Sequence, residues 1–202
     1  MKTLALPLLL VLLGLAAAPA DAQTRWLQTV EVIAPVDEYS ATGVLLDSLV
    51  QAARRGHITV RREPDGAAMA FSALEDRLLD EGLDFTSANR VFLAYRLEAT
   101  QRGFTSQIES FYFIYRPDGD EGLDLPILYI EGGQPAVEEM LMSGGTRLET
   151  NEAAVEPFYD QVTFHQLQDA AVVSVGGRVI RDPAQAQAER QRLLATVRRF
   201  IY

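Results

Sequence analysis

The residues that could bind a metal are few and far apart. The chain has two histidines, His57 and His165, and no cysteine. Neither histidine has a second histidine or an acid at the spacing that metal ligands usually show. We therefore interpret both as structural or solvated side chains. No metal site and no cofactor is predicted, and without cysteine neither a disulfide nor a thiolate nucleophile is possible.

One acidic loop has the beginning of a calcium-binding pattern. Asp118, Asp120 and Asp124 are closely spaced, as the ligands of an EF-hand loop are. Such a loop needs an oxygen ligand at its fifth position, where this chain has Gly122. The spacing of acids and glycines is instead typical of a solvated turn.

Catalytic motifs are equally weak. There is no Gly-x-Ser-x-Gly elbow, and the glycine pairs at 132–133, 144–145 and 176–177 match neither a P-loop nor a dinucleotide fingerprint. The adjacent acids at 80–81 and 138–139 are predicted to lie on helix surfaces, where a solvated face is the simpler interpretation. We therefore predict no catalytic residues and no enzymatic activity.

The densest unusual feature is a group of aromatic residues: Phe111, Tyr112, Phe113, Tyr115 and Tyr129. Aromatic side chains favour strands, so an ordinary sheet core is one interpretation. The alternative is functional, because aromatic residues are enriched at subunit interfaces and in apolar ligand pockets. Under that alternative, the interface or pocket residues are Phe111, Phe113, Tyr115 and Tyr129.

The N-terminus predicts export. Lys2 precedes an apolar run from Leu4 to Leu15, and Ala20-Asp21-Ala22 fits the small-x-small pattern of a signal-peptidase site. The run is shorter than the roughly 20 apolar residues that span a bilayer. We therefore predict a cleavable signal peptide over 1–22 and a periplasmic mature chain over 23–202. No cysteine follows the run, so neither a lipid anchor nor direct membrane insertion of the mature chain is expected.

The charge balance indicates which partners are unsuitable. The chain has 18 basic and 28 acidic residues, a net charge of −10. Residues 1–22 contain one lysine and one aspartate, so their removal leaves this charge unchanged. A strongly acidic protein is repelled by phosphate groups, so we expect no nucleic-acid partner and no direct attachment to anionic lipid.

Periodicity and punctuation predict four helices and one ambiguous segment. A helix over 41–55 has an apolar face and ends at Gly56. Ser72 and Glu75 form a capping-box pattern at the start of a second helix. A short helix is predicted over 135–142, and a long one begins at Asp182-Pro183 and runs to about residue 201. Residues 155–168 are ambiguous, with some helical character.

The remaining pattern predicts strands. These lie at 26–33, 91–98, 108–115, 125–131 and 171–175, with a short return strand at 178–180. The second and third form a hairpin through Gly103. Pro126 places the fourth at a strand start or a sheet edge. Strict alternation puts Ile108 and Tyr112 on one face of the third strand and Phe111 and Phe113 on the other. The fold class is α+β: a single domain over 23–202 with a mostly antiparallel sheet, helices between strands and a long C-terminal helix.

The order of several short segments is similar to that of one known family. Trp26 followed by Val30-Glu-Val-Ile33, and the helix leading into Arg55-Gly-His-Ile58, match its first segments. Ala94-Tyr-Arg-Leu97 resembles its Ala-Tyr-Arg strand, and Pro126-Ile-Leu-Tyr129 its proline-led aromatic strand. The segment from Thr163 to Asp182 and the end of the last helix complete the order. The chain thus resembles the GldN/PorN family of periplasmic proteins in gliding motility and type IX secretion.

The resemblance implies a non-enzymatic structural subunit. Members of the family join an outer-membrane lipoprotein in a large periplasmic ring, so a lipoprotein partner and self-association are expected. One departure is that residues 98–103 are polar, where many members have more aromatic residues after the Ala-Tyr-Arg strand. The alternative hypothesis is a secreted α+β binding domain that holds a small apolar ligand or a peptide against its sheet.

Overall fold

A computed structural model describes residues 26–101, 103–117, 123–148 and 151–201. The predicted signal peptide and most of the acidic loop after Pro117 lie outside the described residues. The strands are β1 Trp26–Pro35, β2 Arg90–Thr100, β3 Gly103–Tyr115, β4 Leu125–Glu131, β5 Gly145–Leu148, β6 Asn151–Pro157, β7 Ala171–Val175 and β8 Arg178–Val179. The α-helices are α1 Ala41–Arg54, α2 Phe71–Asp80, α3 Pro135–Ser143, α4 Phe158–Val162 and α5 Pro183–Ile201, and a 3-10 turn covers Phe85–Ser87.

The strands form two antiparallel sheets. The larger has six strands in the order β4-β3-β2-β1-β7-β8, and the smaller is the β5-β6 hairpin. The predicted hairpin pairs β2 with β3, and Pro126 lies in the edge strand β4, where its missing amide hydrogen costs no ladder bond. The α+β class is confirmed, including the C-terminal helix.

Three of the four predicted helices begin where the sequence indicates, at Ala41, Pro135 and Pro183, and side chains cap two of them. Ser40 accepts a hydrogen bond from the Gly43 amide at 3.1 Å, and Asp182 accepts one from the Gln185 amide at 2.7 Å. The predicted capping box at Ser72 is wrong, because α2 begins at Phe71 with Ala70 at its N-cap position and no side-chain cap, so Ser72 lies inside the first turn. Phe71 stacks on Phe85 with ring centroids 5.0 Å apart, so tertiary packing holds this helix end in place of the cap.

The hydrophobic core lies on one face of the six-stranded sheet, which we call the inner face. The alternating residues Val30 and Val32 in β1, and Leu93 and Leu97 in β2, are buried there against the helices. The helices contribute buried leucines and valines to the same cluster: Leu45, Leu49, Leu74, Leu78, Val137, Leu141, Leu193 and Val197. Alternation with period two therefore assigns every second residue of the central strands to the opposite, outer face.

A β-bulge changes the predicted faces of β3. Ala94 pairs with Ser110, but its neighbour Tyr95 pairs with Ile108, so Glu109 is an extra residue in the ladder. Ile108 therefore lies on the inner face with Phe111 and is buried, contrary to the strict alternation predicted from the sequence. The bulge leaves the charged Glu109 exposed and keeps the apolar side chains on both sides of it in the core.

Tyr95 connects the sheet to the segment that covers it. Its side chain is 0% exposed, and its hydroxyl donates a hydrogen bond of 2.6 Å to the carbonyl oxygen of Val162 at the end of α4. Its ring meets Phe164 edge to face, with centroids 5.9 Å apart. Burial strongly raises the pKa of the Tyr95 phenol, which therefore stays neutral and donates the bond.

Replacing Tyr95 tests this connection. Tyr95→Phe keeps the ring but leaves the buried Val162 carbonyl without its donor, so we expect a loss of about 1–2 kcal/mol in the free energy of unfolding, measured by urea denaturation. Tyr39→Phe is the matched control, because Tyr39 is exposed and should change stability by less than about 0.5 kcal/mol. Equal stability of the two variants would contradict this role for the hydroxyl.

Candidate functional site

The four predicted interface or pocket residues do not form one surface. Phe111 and Phe113 are each 0% exposed and belong to the core. Tyr115 is half-buried and packs against the core from the end of β3. Tyr129 alone among the four lies on the outer face, because it pairs in register with Tyr112 rather than with Phe111.

This arrangement decides between the two interpretations of the aromatic group. The two phenylalanines are sheet core, as aromatic residues in strands commonly are. A pocket lined jointly by Phe113 and Tyr129 is not formed, since the two side chains lie on opposite faces of the sheet. An exposed interface must therefore be built from Tyr129 and its neighbours on the outer face.

Those neighbours form a row across the sheet, perpendicular to the strands. Ile33 pairs with Phe92, Phe92 with Tyr112, and Tyr112 with Tyr129 in successive strands β1, β2, β3 and β4. Arg61 extends the row, because it forms an isolated antiparallel bridge with Tyr129. We call these five residues the aromatic row. At the usual spacing of strands, it is roughly 19 Å long.

The three rings of the row contact one another. Phe92 and Tyr112 stack with centroids 5.9 Å apart and an angle of 24° between the planes. Tyr112 and Tyr129 meet edge to face at 6.3 Å, and the Arg61 guanidinium lies 5.9 Å from the Tyr129 ring centroid. Cross-strand aromatic pairs of this kind contribute about 0.5–1 kcal/mol each. The row is thus held in a defined shape before any partner arrives.

The row is half-buried by its own neighbours and not by a helix. Ile33, Phe92, Tyr112 and Tyr129 are all partly exposed, and none belongs to the core cluster or packs against it. In the described part of the chain, all five helices contribute their buried residues to the inner side. The aromatic row is therefore a preformed, partly apolar surface that remains open on the outer face.

Polar groups border the row. The next residues along the strands are Glu31, Ala94, Ser110 and Glu131, which pair in register as a second row of small or acidic side chains. At one end, Arg61 pairs with Glu131 at 2.9 Å. Burial, and then the carboxylates of Glu63 and Asp124, raise the pKa of the Tyr112 phenol, which remains a neutral hydrogen-bond donor. An apolar centre with a polar rim is the usual composition of a protein interface.

The two histidines and the acids that the sequence suggested as metal ligands are not members of the aromatic row. His57 and His165 are both exposed and lie in separate parts of the chain. Among the described residues, no three His, Asp or Glu side chains form a group that could hold a metal ion. Asp124 makes a two-pronged ion pair with Arg116, with oxygen–nitrogen distances of 2.7 and 2.9 Å. That carboxylate stabilises the turn between β3 and β4.

A polar cleft of about 390 Å³ lies at the start of α1. Asp37, Glu156, Asp160 and Asp169 contribute carboxylates to it. Its hydroxyl groups serve the local backbone, since Thr42 donates to the Pro35 carbonyl at 2.8 Å and bonds to the Ser40 hydroxyl at 2.8 Å. The cleft therefore offers acidic groups to solvent, and its hydroxyls are engaged in helix capping.

No protein-family model matches this chain, and no curated protein sequence matches it either. None of the helices in the described residues combines the length and the apolar character that a membrane span requires.

Sequence patterns do not reveal the aromatic row, because its members come from four separate strands and one isolated bridge. Two signals were nevertheless present. Alternation in β2 assigns Phe92 to the face opposite Leu93, and Tyr112 stands between two phenylalanines that face the core. The strand order and register that bring these residues side by side come from the tertiary structure.

The pH dependence of stability tests whether the Glu31 carboxylate is buried on the outer face. Burial raises the pKa of its carboxyl group, so folding disfavours the ionised form. The folded state therefore loses stability as the pH rises through the carboxyl range and regains it as the pH falls. We expect Glu31→Gln to raise Tm by about 1–3 °C near pH 7, with the difference disappearing near pH 3, where the glutamate is neutral in both states.

Glu109→Gln is the matched control for Glu31, because Glu109 is an exposed carboxylate of the same sheet. Thermal unfolding followed by circular dichroism at several pH values measures both variants. A gain at Glu31 that persists unchanged at low pH would contradict the burial of its charged form.

Proposed function

We propose that this protein is a non-enzymatic structural component of a periplasmic assembly, of the type IX secretion or gliding-motility class. The observation that carries the proposal is the aromatic row, an ordered aromatic surface on the open outer face of the sheet. The row supports a protein–protein contact because its rings are already in place, which lowers the entropy cost of binding. The segment resemblance to the GldN/PorN family supplies the identity of the machinery and of the partner.

The proposed partners are an outer-membrane lipoprotein and further copies of this chain. The net charge of −10 opposes attachment to anionic lipid. In this proposal another protein holds the chain at the envelope. Signal-peptide export to the periplasm is part of the same proposal, since a lipoprotein of the outer membrane is reached from that compartment.

The aromatic row suits such a contact better than a small-molecule site. It is a strip about four strands wide on a broad face, with rings exposed along one side where Ala94 and Ser110 are small. Interfaces concentrate binding energy in a few aromatic and arginine residues near their centre, and the row contains three aromatic rings and Arg61. Enclosed pockets bury most of a ligand, which an open strip does not.

Phe92→Glu tests the proposal. Phe92 lies in the middle of the row, so a carboxylate there should oppose burial of the row against a partner. We expect the tagged wild-type chain to copurify with an outer-membrane lipoprotein from envelope extracts, and Phe92→Glu to reduce that recovery at least about tenfold. Quantitative mass spectrometry of the eluate measures the recovery, and deletion of the gene should impair secretion or gliding.

The matched control is Thr29→Glu, which places the same charge on the same face but away from the row, where the side chain is exposed. It should leave recovery within about twofold of the wild type. Circular dichroism confirms that both variants fold. Recovery of the wild-type chain as a clean monomer, with no envelope partner, would overturn the proposed function.

A further inference from the structure

The N-terminal half of β3 is an edge of the sheet. β2 pairs with β3 along its whole length, whereas β4 pairs with β3 only from Ser110 to Tyr115. After Glu131 the chain leaves the sheet, with a hydrogen bond of 2.8 Å from the Gly132 amide to the Glu109 carbonyl, and α3 begins at Pro135. Within the described ranges, no strand lies beside β3 between Phe104 and Ile108.

Tyr159 identifies the backbone groups that face this edge. Its hydroxyl donates a hydrogen bond of 2.8 Å to the carbonyl oxygen of Ser106. Backbone groups alternate between the two sides of an antiparallel strand, so the groups of Phe104, Ser106 and Ile108 all point toward the edge. A strand edge with N–H and C=O groups that no strand pairs is a template for the addition of another strand.

Two cavities lie along the same edge and meet at Ser106 and Tyr159. One has a volume of about 440 Å³ and is lined by Leu141 and Met142 of α3. The other has a volume of about 310 Å³ and is lined by Phe104 and by Ile201 at the end of α5. Met142 is 63% exposed and Ile201 is 40% exposed, so each cavity offers an apolar side chain to solvent.

The size of the edge sets the length of an occupant. From Phe104 to Ile108 it spans roughly 13 Å, which is the length of about five residues in an extended strand. Side chains of such a strand alternate, so every second one would enter a cavity. The two cavities are large enough for apolar side chains and too shallow to enclose a folded element.

The charge of the edge sets the composition of an occupant. Glu138 lines the first cavity and Asp160 the second, and Glu109, which follows the edge in β3, is exposed. Among the described residues that line the two cavities, His165 is the one basic side chain. An occupant with arginine or lysine near its two ends complements these acids.

The Ser106 hydroxyl is a further sign of an incomplete edge. Ser106 is 5% exposed, and its Oγ has no hydrogen-bond partner among the described atoms. Buried hydroxyl groups normally have a partner, because burying one without it is unfavourable. This hydroxyl belongs to the residue that both cavities share, next to the carbonyl that Tyr159 occupies.

We propose that the β3 edge from Phe104 to Ile108 binds an extended, basic segment of a partner protein, which adds to the sheet as a seventh strand. The partner's backbone pairs with Ser106 and with the amide of Ile108, whose carbonyl lies against Gly132. Its alternate apolar side chains fill the two cavities, and its basic ends meet Glu138 and Asp160. In the unbound protein the Tyr159 hydroxyl donates its hydrogen bond to the Ser106 carbonyl, and the bound segment replaces this donor. This surface is separate from the aromatic row and requires no particular secretion system.

The first test uses a defined probe, the peptide acetyl-Arg-Val-Thr-Val-Thr-Val-Arg-amide with a fluorescent label, titrated with the purified chain and followed by anisotropy. Two further peptides carry N-methyl groups on alternate residues, one on each of the two alternating sets. A strand presents one set of amides to its neighbour, so one methylated peptide should lose at least about tenfold in affinity and the other should bind as before.

The second test uses a matched pair of substitutions in α3. Glu138→Lys reverses a charge that lines the cavity, and Glu139→Lys reverses an equally exposed charge that does not. We expect Glu138→Lys to weaken binding of the basic probe about tenfold, and Glu139→Lys to change it by less than about twofold. Hydrogen exchange should show new protection at the amides of Ser106 and Ile108 when the probe is bound.

Several outcomes would overturn the proposal. One is the absence of binding at millimolar probe. Another is equal binding of both methylated peptides, which would show that backbone pairing is not involved. Protection that appears along Phe92 and Tyr112 would assign the probe to the aromatic row. Protection of Ser106 and Ile108 in a dimer without peptide would assign the edge to a second copy of the chain. Loss of lipoprotein recovery in the envelope experiment would contradict the proposed function. It would not contradict strand addition at the β3 edge, because the probe experiments do not involve the lipoprotein.

Discussion

The five helices of the described residues pack on one face of the six-stranded sheet, and the rest of the structure follows from this one-sided burial. The inner face has a continuous apolar surface in which Val30, Leu93, Leu97 and Phe111 are fully or almost fully buried. Tyr95 ties that face to α4 through a buried hydrogen bond to Val162. The bulge at Glu109 is a consequence of the same constraint, because it keeps Ile108 in the core and a carboxylate outside it.

One-sided burial leaves the outer face with its own organisation. The side chains of the aromatic row interact across the strands, in register. Phe92, Tyr112 and Tyr129 stack into an aromatic row, while Glu31 remains half-buried among small residues with a raised pKa. Antiparallel sheets commonly face water on one side, but that side is then usually polar. An aromatic row on such a face is the observation on which the proposed protein contact rests.

The sheet is also unfinished along one edge. β4 covers only the C-terminal half of β3, and the Gly132 backbone turns the chain away before the other half is paired. A Cβ at residue 132 would collide with the Ile108 carbonyl, so glycine permits the close approach that this turn needs. The aromatic row and the β3 edge are separate surfaces of the sheet.

The sequence by itself determined the α+β class, the long C-terminal helix after Asp182 and the β2–β3 hairpin, because each depends on local periodicity and on capping or turn residues. The helix start at Ser72 was predicted wrongly, since the packing of Phe71 on Phe85 replaced a side-chain cap. Only the tertiary structure decided which aromatic residues are core and which form a surface. Phe113 and Tyr129 are 16 positions apart and lie on opposite faces, whereas Phe92 and Tyr129 are more distant in the chain and belong to one row. Strand order, register and a single bulge set these relations, and they depend on contacts between residues far apart in the chain, which local patterns do not encode.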